Sequence, residues 1–363
     1  MEKNDLSELI QDPMVQSACI QVKDNFGDYG IVGFFAMKNN HLIHFLFSCR
    51  VLNIGVEQWL YAKLGYPQVE VEAPIATPLR SNYTPNWICE VERFSESNEQ
   101  TGPTLKRKCF MRGGCDLDSI VHYLNSDYDV ATEFNYVSEK GFNAHRDHTM
   151  ILRQAFMLPK HKIDFLIEHV PQYDSNTFHT GLMNSQYDFL IYSVLMDYTL
   201  AVYRYKEDQD LKFVTEDYSF LYTDSANWEQ TILDNKGRIT KSHLQWLSEN
   251  FIGTPYSEEE FREGLTWLRN TVPENVPIIF LNGSEVPMEH EWEVDRYLHH
   301  RKMNRVLEEF CSKHNRVHIA DVRKVVKERE DVTNNIRHYK REKYKDISYE
   351  ILNILEQYKV REN

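Results

Sequence analysis

The sequence predicts an α/β protein: a parallel sheet with covering helices, preceded by a smaller α+β unit. Three observations lead there. From about residue 108 onward, apolar runs of strand length ("CFMRG", "DVATEFNYV", "YDFLIYSVLM", "VPIIFLNG" and "RVHIADV") are each separated from the next by at least one helical segment. Strands linked through helices need crossovers, and these give a parallel sheet with right-handed connections. The stretch "FSESNEQTGPTLKRK" is polar and turn-forming, so it reads as a linker. Before it the pattern differs: strand-like "SACIQVKD" and "GIVGFFAMKNNHLIHFLFSC", a helix starting near Arg50, then extended segments rich in proline. The expected organisation is a small α+β unit over 1–95, a linker over 96–107 and an α/β domain over 108–363.

Composition narrows the function classes. The 363 residues suffice for two or three modest domains. A formal net charge of −14 argues against broad binding to nucleic acid or anionic membranes. The opening "MEKNDLSELIQDP" lacks the basic flank and apolar core of a signal peptide, and no apolar run approaches the roughly 20 residues of a spanning helix. The six cysteines (Cys19, Cys49, Cys89, Cys109, Cys115, Cys311) are scattered, with no C-x-x-C pair for zinc or redox work. The expectation is a cytoplasmic protein with free thiols, using neither metal nor cofactor.

The chemistry is sought at the carboxyl ends of the strands, where open parallel sheets place it. In "CFMRGGCDLDSIVHYL", Gly113 and Gly114 let the backbone bend between a strand and a helix, and Cys115 stands at the helix start. A thiol facing a helix amino end is biased toward thiolate. Asp197 and Tyr198 follow the third strand, and Asn282 and Glu285 the fourth. After the fifth comes "DVTNNIRHYKREKY", with His338 three residues beyond Asn335 and seven beyond Asp331. Cys115 and His338 form a candidate nucleophile and base, with Asn335 or Asp331 to hold the imidazole. Arg112, Gly114 and Asp197 are candidates for substrate or oxyanion binding.

These blocks resemble the SGNH (GDSL) hydrolase superfamily, which places a serine in Gly-Asp-Ser after the first strand and a histidine in Asp-x-x-His before the last helix. Here the blocks read Gly113-Gly114-Cys115 and Asn335-Ile336-Arg337-His338, with cysteine for serine and asparagine for aspartate. The resemblance covers roughly 105–360 and implies a flavodoxin-like, three-layer sheet. The Gly-x-Asn-Asp block would fall at "LMDYT", which has no asparagine, and Gly141 is the nearest candidate for the second-block glycine. In the first region, "VKDNFGDYGIVGFF" and "FLFSCRVLNIGVEQWL" resemble the carboxyl-terminal, acetyltransferase-like (GNAT-like) part of FkbH-like proteins, which supply acyl units to carrier proteins. That implies a partial fold in which Arg50, Asn53 and Gly55 occupy the positions of a coenzyme A pyrophosphate turn.

Other features have plainer readings. Asp116 and Asp118 are expected to cap the helix after Cys115. His145 and His148 have a spacing compatible with a metal on one helical face, but no third ligand is apparent. Trp246, Phe251, Trp267 and Leu268 have helical spacing and read as core, and the tyrosines of "YDFLIYSVLMDYTLAVYRYK" as half-buried packing. The basic run from Arg323 to Lys345 reads as a solvated helix face where a phosphopantetheine or coenzyme A phosphate could dock. Together these imply an acyltransferase, esterase or thioesterase acting on an ester, carrier-protein thioester or coenzyme A thioester in specialised-metabolite or surface-glycan assembly. The alternative is a catalytically inactive binding or scaffolding protein of the same kind.

Overall fold

The computed structural model describes residues 9–24, 27–48, 51, 54–70, 78–91, 106–125, 127–183, 186–289 and 294–359, with the backbone alone at Gly27, Asp28, Cys115, Glu216 and Lys359. The chain divides into two compact units, residues 1–105 and 106–363.

In the first unit, β1 (Val15–Asp24), β2 (Gly27–Lys38) and β3 (His41–Phe47) form an antiparallel meander. Helix α1 (Val56–Lys63) then returns the chain to β4 (Gln68–Val69), parallel to β3. The expected start near Arg50 lies outside the described residues; α1 begins at Val56, directly after Gly55 at φ +86°, a left-handed value that glycine adopts without a Cβ penalty. Phe35, Leu42, Leu60 and Tyr61 bury part of the sheet against α1.

The second unit holds five parallel strands: β5 (Arg107–Gly113), β6 (Tyr128–Phe134), β9 (Phe189–Ser193), β13 (Ile278–Leu281) and β14 (Val317–Ala320). Their order across the sheet is β6-β5-β9-β13-β14, or 2-1-3-4-5 in chain order, one of the two common doubly wound arrangements. The strand order reverses between β5 and β9, so a crevice opens there at the carboxyl ends.

Period-two alternation sorts the strand residues onto two faces. Cys109, Met111, Phe189, Ile191, Ile279 and Leu281 pack with Leu117, Ile120 and Leu124 of α2 (Cys115–Leu124) and with Ile347, Ile351 and Leu355 of α10 (Arg341–Lys359). Phe110, Leu190, Tyr192, Ile278 and Phe280 face the other way, onto α3 (Thr149–Met157), α8 (Glu258–Thr271) and α9 (Arg296–Lys313). The result is a sheet between two helical layers. The remaining described helices are α4 (Lys160–His169), α5 (Leu195–Thr199), α6 (Trp228–Asp234) and α7 (Lys241–Asn250).

Two segments depart from expectation. After β9 the chain builds an antiparallel sheet, β11-β10-β12, from β10 (Leu200–Tyr205), β11 (Lys212–Asp217) and β12 (Phe251–Pro255). A short β7–β8 ladder (Tyr136–Val137 and Asn143–Ala144) follows β6. Of the tyrosines in the "YDFLIYSVLMDYTLAVYRYK" stretch, Tyr192, Tyr198 and Tyr203 are fully buried, while Tyr187 and Tyr205 are half-buried as expected. Phe251 lies on β12, whereas Trp246 lies on α7 and Trp267 and Leu268 on α8, so these four share no helix. The basic run is not one helix either: it holds two short 3-10 turns, Val322–Lys324 and Arg329–Asp331, and only residues from Arg341 onward are α-helical.

Candidate active site

The turn leaving β5 is held by close approach rather than by unusual backbone angles. A Cβ on Gly113 would stand 2.6 Å from Leu117 Cδ1 and 2.8 Å from Ser193 Cβ, so glycine alone lets β5 pass β9 into α2. Gly114, extended at φ −105° and ψ −157°, caps the helix, and Cys115 is its first residue. Asp116 clamps this turn instead of capping through its side chain. Its Oδ1 accepts the Gly114 N–H at 3.1 Å, and its Oδ2 accepts the Ser193 hydroxyl at 2.5 Å. Burial raises the Asp116 pKa, against the lowering effect of the Ser193 hydrogen bond.

Two further side chains close on Gly114. A Cβ there would meet Asp147 Oδ2 at 3.1 Å and Asn135 Nδ2 at 3.5 Å. Asn135 lies just past β6, where its N–H donates to Gly113 O at 3.2 Å. Asp147 is 1% exposed and neither carboxylate oxygen has a hydrogen-bond partner among the described residues. Burial, reinforced by the nearby charge of Asp116, pushes its pKa up to about 7. His145 brings Nδ1 to 3.8 Å from Asp147 Oδ1, and that nitrogen is also buried without a partner. Burial, then the Arg337 charge, lowers the His145 pKa to about 4.

Other expected positions are committed elsewhere. Asp197 accepts the Thr149 N–H at 2.8 Å and its hydroxyl at 2.5 Å, and lies 2.9 Å from His148 Nδ1. It pins the start of α3. His148 caps that helix by accepting the Met150 N–H at 3.0 Å, whereas His145 precedes it, so the two do not share a helical face. Among the described residues no three His, Cys, Asp or Glu side chains converge for a metal. Arg112, 1% exposed, forms an ion pair with Glu133 and donates to the Arg146 carbonyl. Asn282 ties the exits of β13 and β14, donating to Asp321 Oδ1 at 2.8 Å and accepting from Val322 N at 2.8 Å.

The segment before α10 is a compact hairpin. Val332 and Tyr339 pair across it, the Thr333 N–H donates to His338 O at 2.8 Å, and buried Ile336 anchors it in the core. Asn335 does reach His338, but through Nδ2, 3.2 Å from Nδ1, while its Oδ1 accepts the Arg337 N–H at 2.9 Å. The oxygen beside the ring belongs to Asn334, 2.8 Å from Nδ1. Burial, then Arg337, lowers the His338 pKa to about 4. Asp331 is spent on the N–H groups of Lys327 and Glu328 and on Lys343, so it does not orient the imidazole.

A polar cavity of about 470 Å³ is lined by His145, Arg337, Gln172, Thr215, Asp217 and Arg238, among others. Gly141 belongs to its wall, its carbonyl accepting from Arg238. A second cavity, about 620 Å³, shares Arg238 and Phe142 and is walled by Trp246, His169 and His243. Asp147, Asn135, Ser193 and Arg337 were not singled out in the sequence. The signal for Arg337 and Asn135 was position, since each sits at or near a strand exit or in the last loop; Asp147 had no signal beyond its neighbours His145 and His148.

In the amino-terminal unit, Arg50 and Asn53 lie outside the described residues. At Gly55, Pro85 Cγ and Trp87 Cζ2 would each stand 3.3 Å from an added Cβ, and Trp87 Nε1 donates to Ile54 O at 3.1 Å. The chain's own segment thus covers the amino end of α1, where a pyrophosphate would approach.

No family model matches the sequence, and a search of curated proteins finds no match.

Proposed function

We propose that this chain is an acyl-transfer enzyme of SGNH-like architecture with Cys115 as nucleophile. One observation carries the reading: α2 begins on Cys115 directly off the carboxyl end of β5, beside the point where the strand order reverses. Helix-end backbone N–H groups favour the thiolate there. The thiolate attacks an ester or thioester carbonyl, and the leaving alkoxide or thiolate takes a proton from the imidazolium of His338. Water, a hydroxyl or an amine then attacks the acyl-enzyme, giving its proton back to the histidine and freeing Cys115. Asn135, whose amide closes on Gly114, supplies a donor that the "LMDYT" block lacks. Acyl carrier protein and coenzyme A thioesters are the donors that best fit the resemblances in sequence.

The proton balance sets a condition. A histidine of pKa about 4 accepting from an ordinary thiol near 8.5 faces about 6 kcal/mol uphill. Something that arrives with the substrate has to lift the histidine, or the helix end has to lower the thiol. The competing reading, an inactive binding protein, is favoured by the commitment of Asp197 to the Thr149 N–H and hydroxyl.

Intact-protein mass spectrometry after exposure to acetyl and longer acyl thioesters separates the two. The expected result is a single acyl adduct that is lost in Cys115→Ala, with turnover reduced by at least 10³-fold. Adduct formation unchanged in Cys115→Ala would remove the nucleophile assignment.

A further inference from the structure

The basic run that sequence alone offered as a phosphate-docking face is neutralised in part. Arg323 pairs with Asp321, Glu285 and Glu308, Lys324 with Glu350, and Lys343 with Asp331. Arg337 differs from the rest of the run in lining the 470 Å³ cavity, where it is half-buried. Its Nε is buried without a hydrogen-bond partner, and no carboxylate pairs with its guanidinium among the described residues. Its titratable neighbours are histidines instead: His145, His300 and His338 are each held neutral by burial first and by its positive charge as well. An unpaired, half-buried guanidinium is costly on any chain, and on one of net charge −14 carboxylates to pair with it were plentiful.

The two acids of the same cavity are already occupied. Asp217 forms an ion pair with Arg296 and accepts from Ser219, and Asp234 accepts the Gln230 amide at 2.7 Å. Arg238, the second cation, donates to the Gly141 carbonyl and covers the Phe142 ring at 4.6 Å. The wall near Arg337 therefore offers one free cation, the His145 ring and the polar groups of Gln172 and Thr215. A space of this size suits a small ligand or one group of a larger one.

We propose that this cavity binds an anionic group, a carboxylate or a phosphate carried by a small-molecule ligand, with Arg337 as its charged anchor. The planar guanidinium can meet either anion with two parallel N–H donors. The inference does not depend on the Cys115 chemistry, since it follows from an unpaired cation in a polar cavity. Where both hold, the anion has a second effect. Burial is the main cause of the low His145 and His338 pKa values and Arg337 the next, so by offsetting Arg337 the anion relieves the second of these and makes His338 a somewhat better base once substrate is in place.

Thermal unfolding of the full chain, in chloride buffers of matched ionic strength, tests this with inorganic phosphate and malonate as separate probes. Parent protein should gain about 2–4 °C from at least one probe at saturating concentration. Arg337→Met should gain nothing, yet unfold at or above the parent temperature without anion, because it removes an unpaired buried charge. A response to phosphate alone, or to malonate alone, identifies the anion. Ring proton shifts of His145 give a second readout, with its pKa rising by at least half a unit when anion binds the parent and not when Arg337→Gln is titrated. Neither probe shifting the parent, or Arg337→Met responding as the parent does, overturns the proposal.

Discussion

At the exits of β13 and β14, Asn282, Glu285, Asn304, Asp321 and Arg323 form one network in which amides meet carboxylates and the guanidinium meets three acids. At the exits of β5 and β6, on the same rim of the same sheet, Asp147 has two buried oxygens and His145 one buried nitrogen without partners among the described residues, and nearby Arg337 has a buried Nε without one and no carboxylate beside its guanidinium. Residue types alone do not separate the two regions. The difference lies in whether the polar groups are satisfied by the protein itself. A closed network holds the loops after β13 and β14 together and leaves nothing for a ligand. Open groups cost stability and are tolerable where a ligand completes them.

The largest expected effect tests that cost at Asp147. Its rise from 3.8 to about 7 means that the folded state holds a proton that the unfolded chain releases near pH 4. The folded form binds more protons between those values, so stability falls as pH climbs from about 4 to about 7 and levels off above. The whole span corresponds to about 4 kcal/mol. Asp147→Asn cannot ionise, so the variant should be about as stable as the parent at pH 4 and more stable by up to about 4 kcal/mol at pH 8. Urea unfolding at both pH values measures this. Equal stability of variant and parent at pH 8 would mean that Asp147 is not held in an unfavourable charged state, and the contrast between the two rims would weaken.

The opposite sign is expected at the closed rim. Asn282→Ala leaves the buried Val322 N–H without an acceptor and Asp321 without one of its donors. A cost of about 2–4 kcal/mol follows, with little dependence on pH between 5 and 8 because the lost groups do not titrate there. Chemical unfolding of the variant checks it. A loss under 0.5 kcal/mol would show that water takes over these bonds, and that the rim is less closed than its geometry implies.

Much of this was legible in the sequence and some was not, for reasons that differ by element. All five parallel strands could be read in place: β9 and β13 are buried on both faces and so are continuous apolar runs, the edge strands β6 and β14 are only partly buried but carry enough apolar residues to show, and the helices between them forced a parallel arrangement. The strand order 2-1-3-4-5 was expected only through resemblance, since crossover length does not determine it. The β10–β12 sheet was missed because "LAVYRY" continues the apolar run of β9 without a turn signal, and Phe251 happens to fall in phase with a helix. The turn at Cys115 was placed correctly, but its glycines were read for flexibility and act instead by admitting Leu117, Ser193 and Asp147. Asp147 was illegible because its meaning is the absence of partners, and an absence in space leaves no mark on the chain.

The smallest expected effect concerns His338, where two amides compete for one ring nitrogen. Nδ1 lies 2.8 Å from Asn334 Oδ1 and 3.2 Å from Asn335 Nδ2. One hydrogen cannot serve both. If Nδ1 carries the proton it donates to Asn334, and Nε2 keeps the lone pair that a base needs; if Nδ1 is bare it accepts from Asn335, and Nε2 is blocked by its own proton. The shorter contact favours the first arrangement, so Asn334, not Asn335, orients the ring. Asn334→Ala removes an acceptor that stabilises the protonated ring and should lower the His338 pKa further below about 4. Asn335→Ala removes a donor that opposes protonation and should raise it. Each shift is under about one pKa unit, the worth of one hydrogen bond. Nitrogen NMR of the His338 ring reads tautomer and pKa together. A ring with Nδ1 bare in the parent, or shifts of the same sign in both variants, would return the orienting role to Asn335 and leave the base at His338 without a free lone pair, which would turn attention to His145.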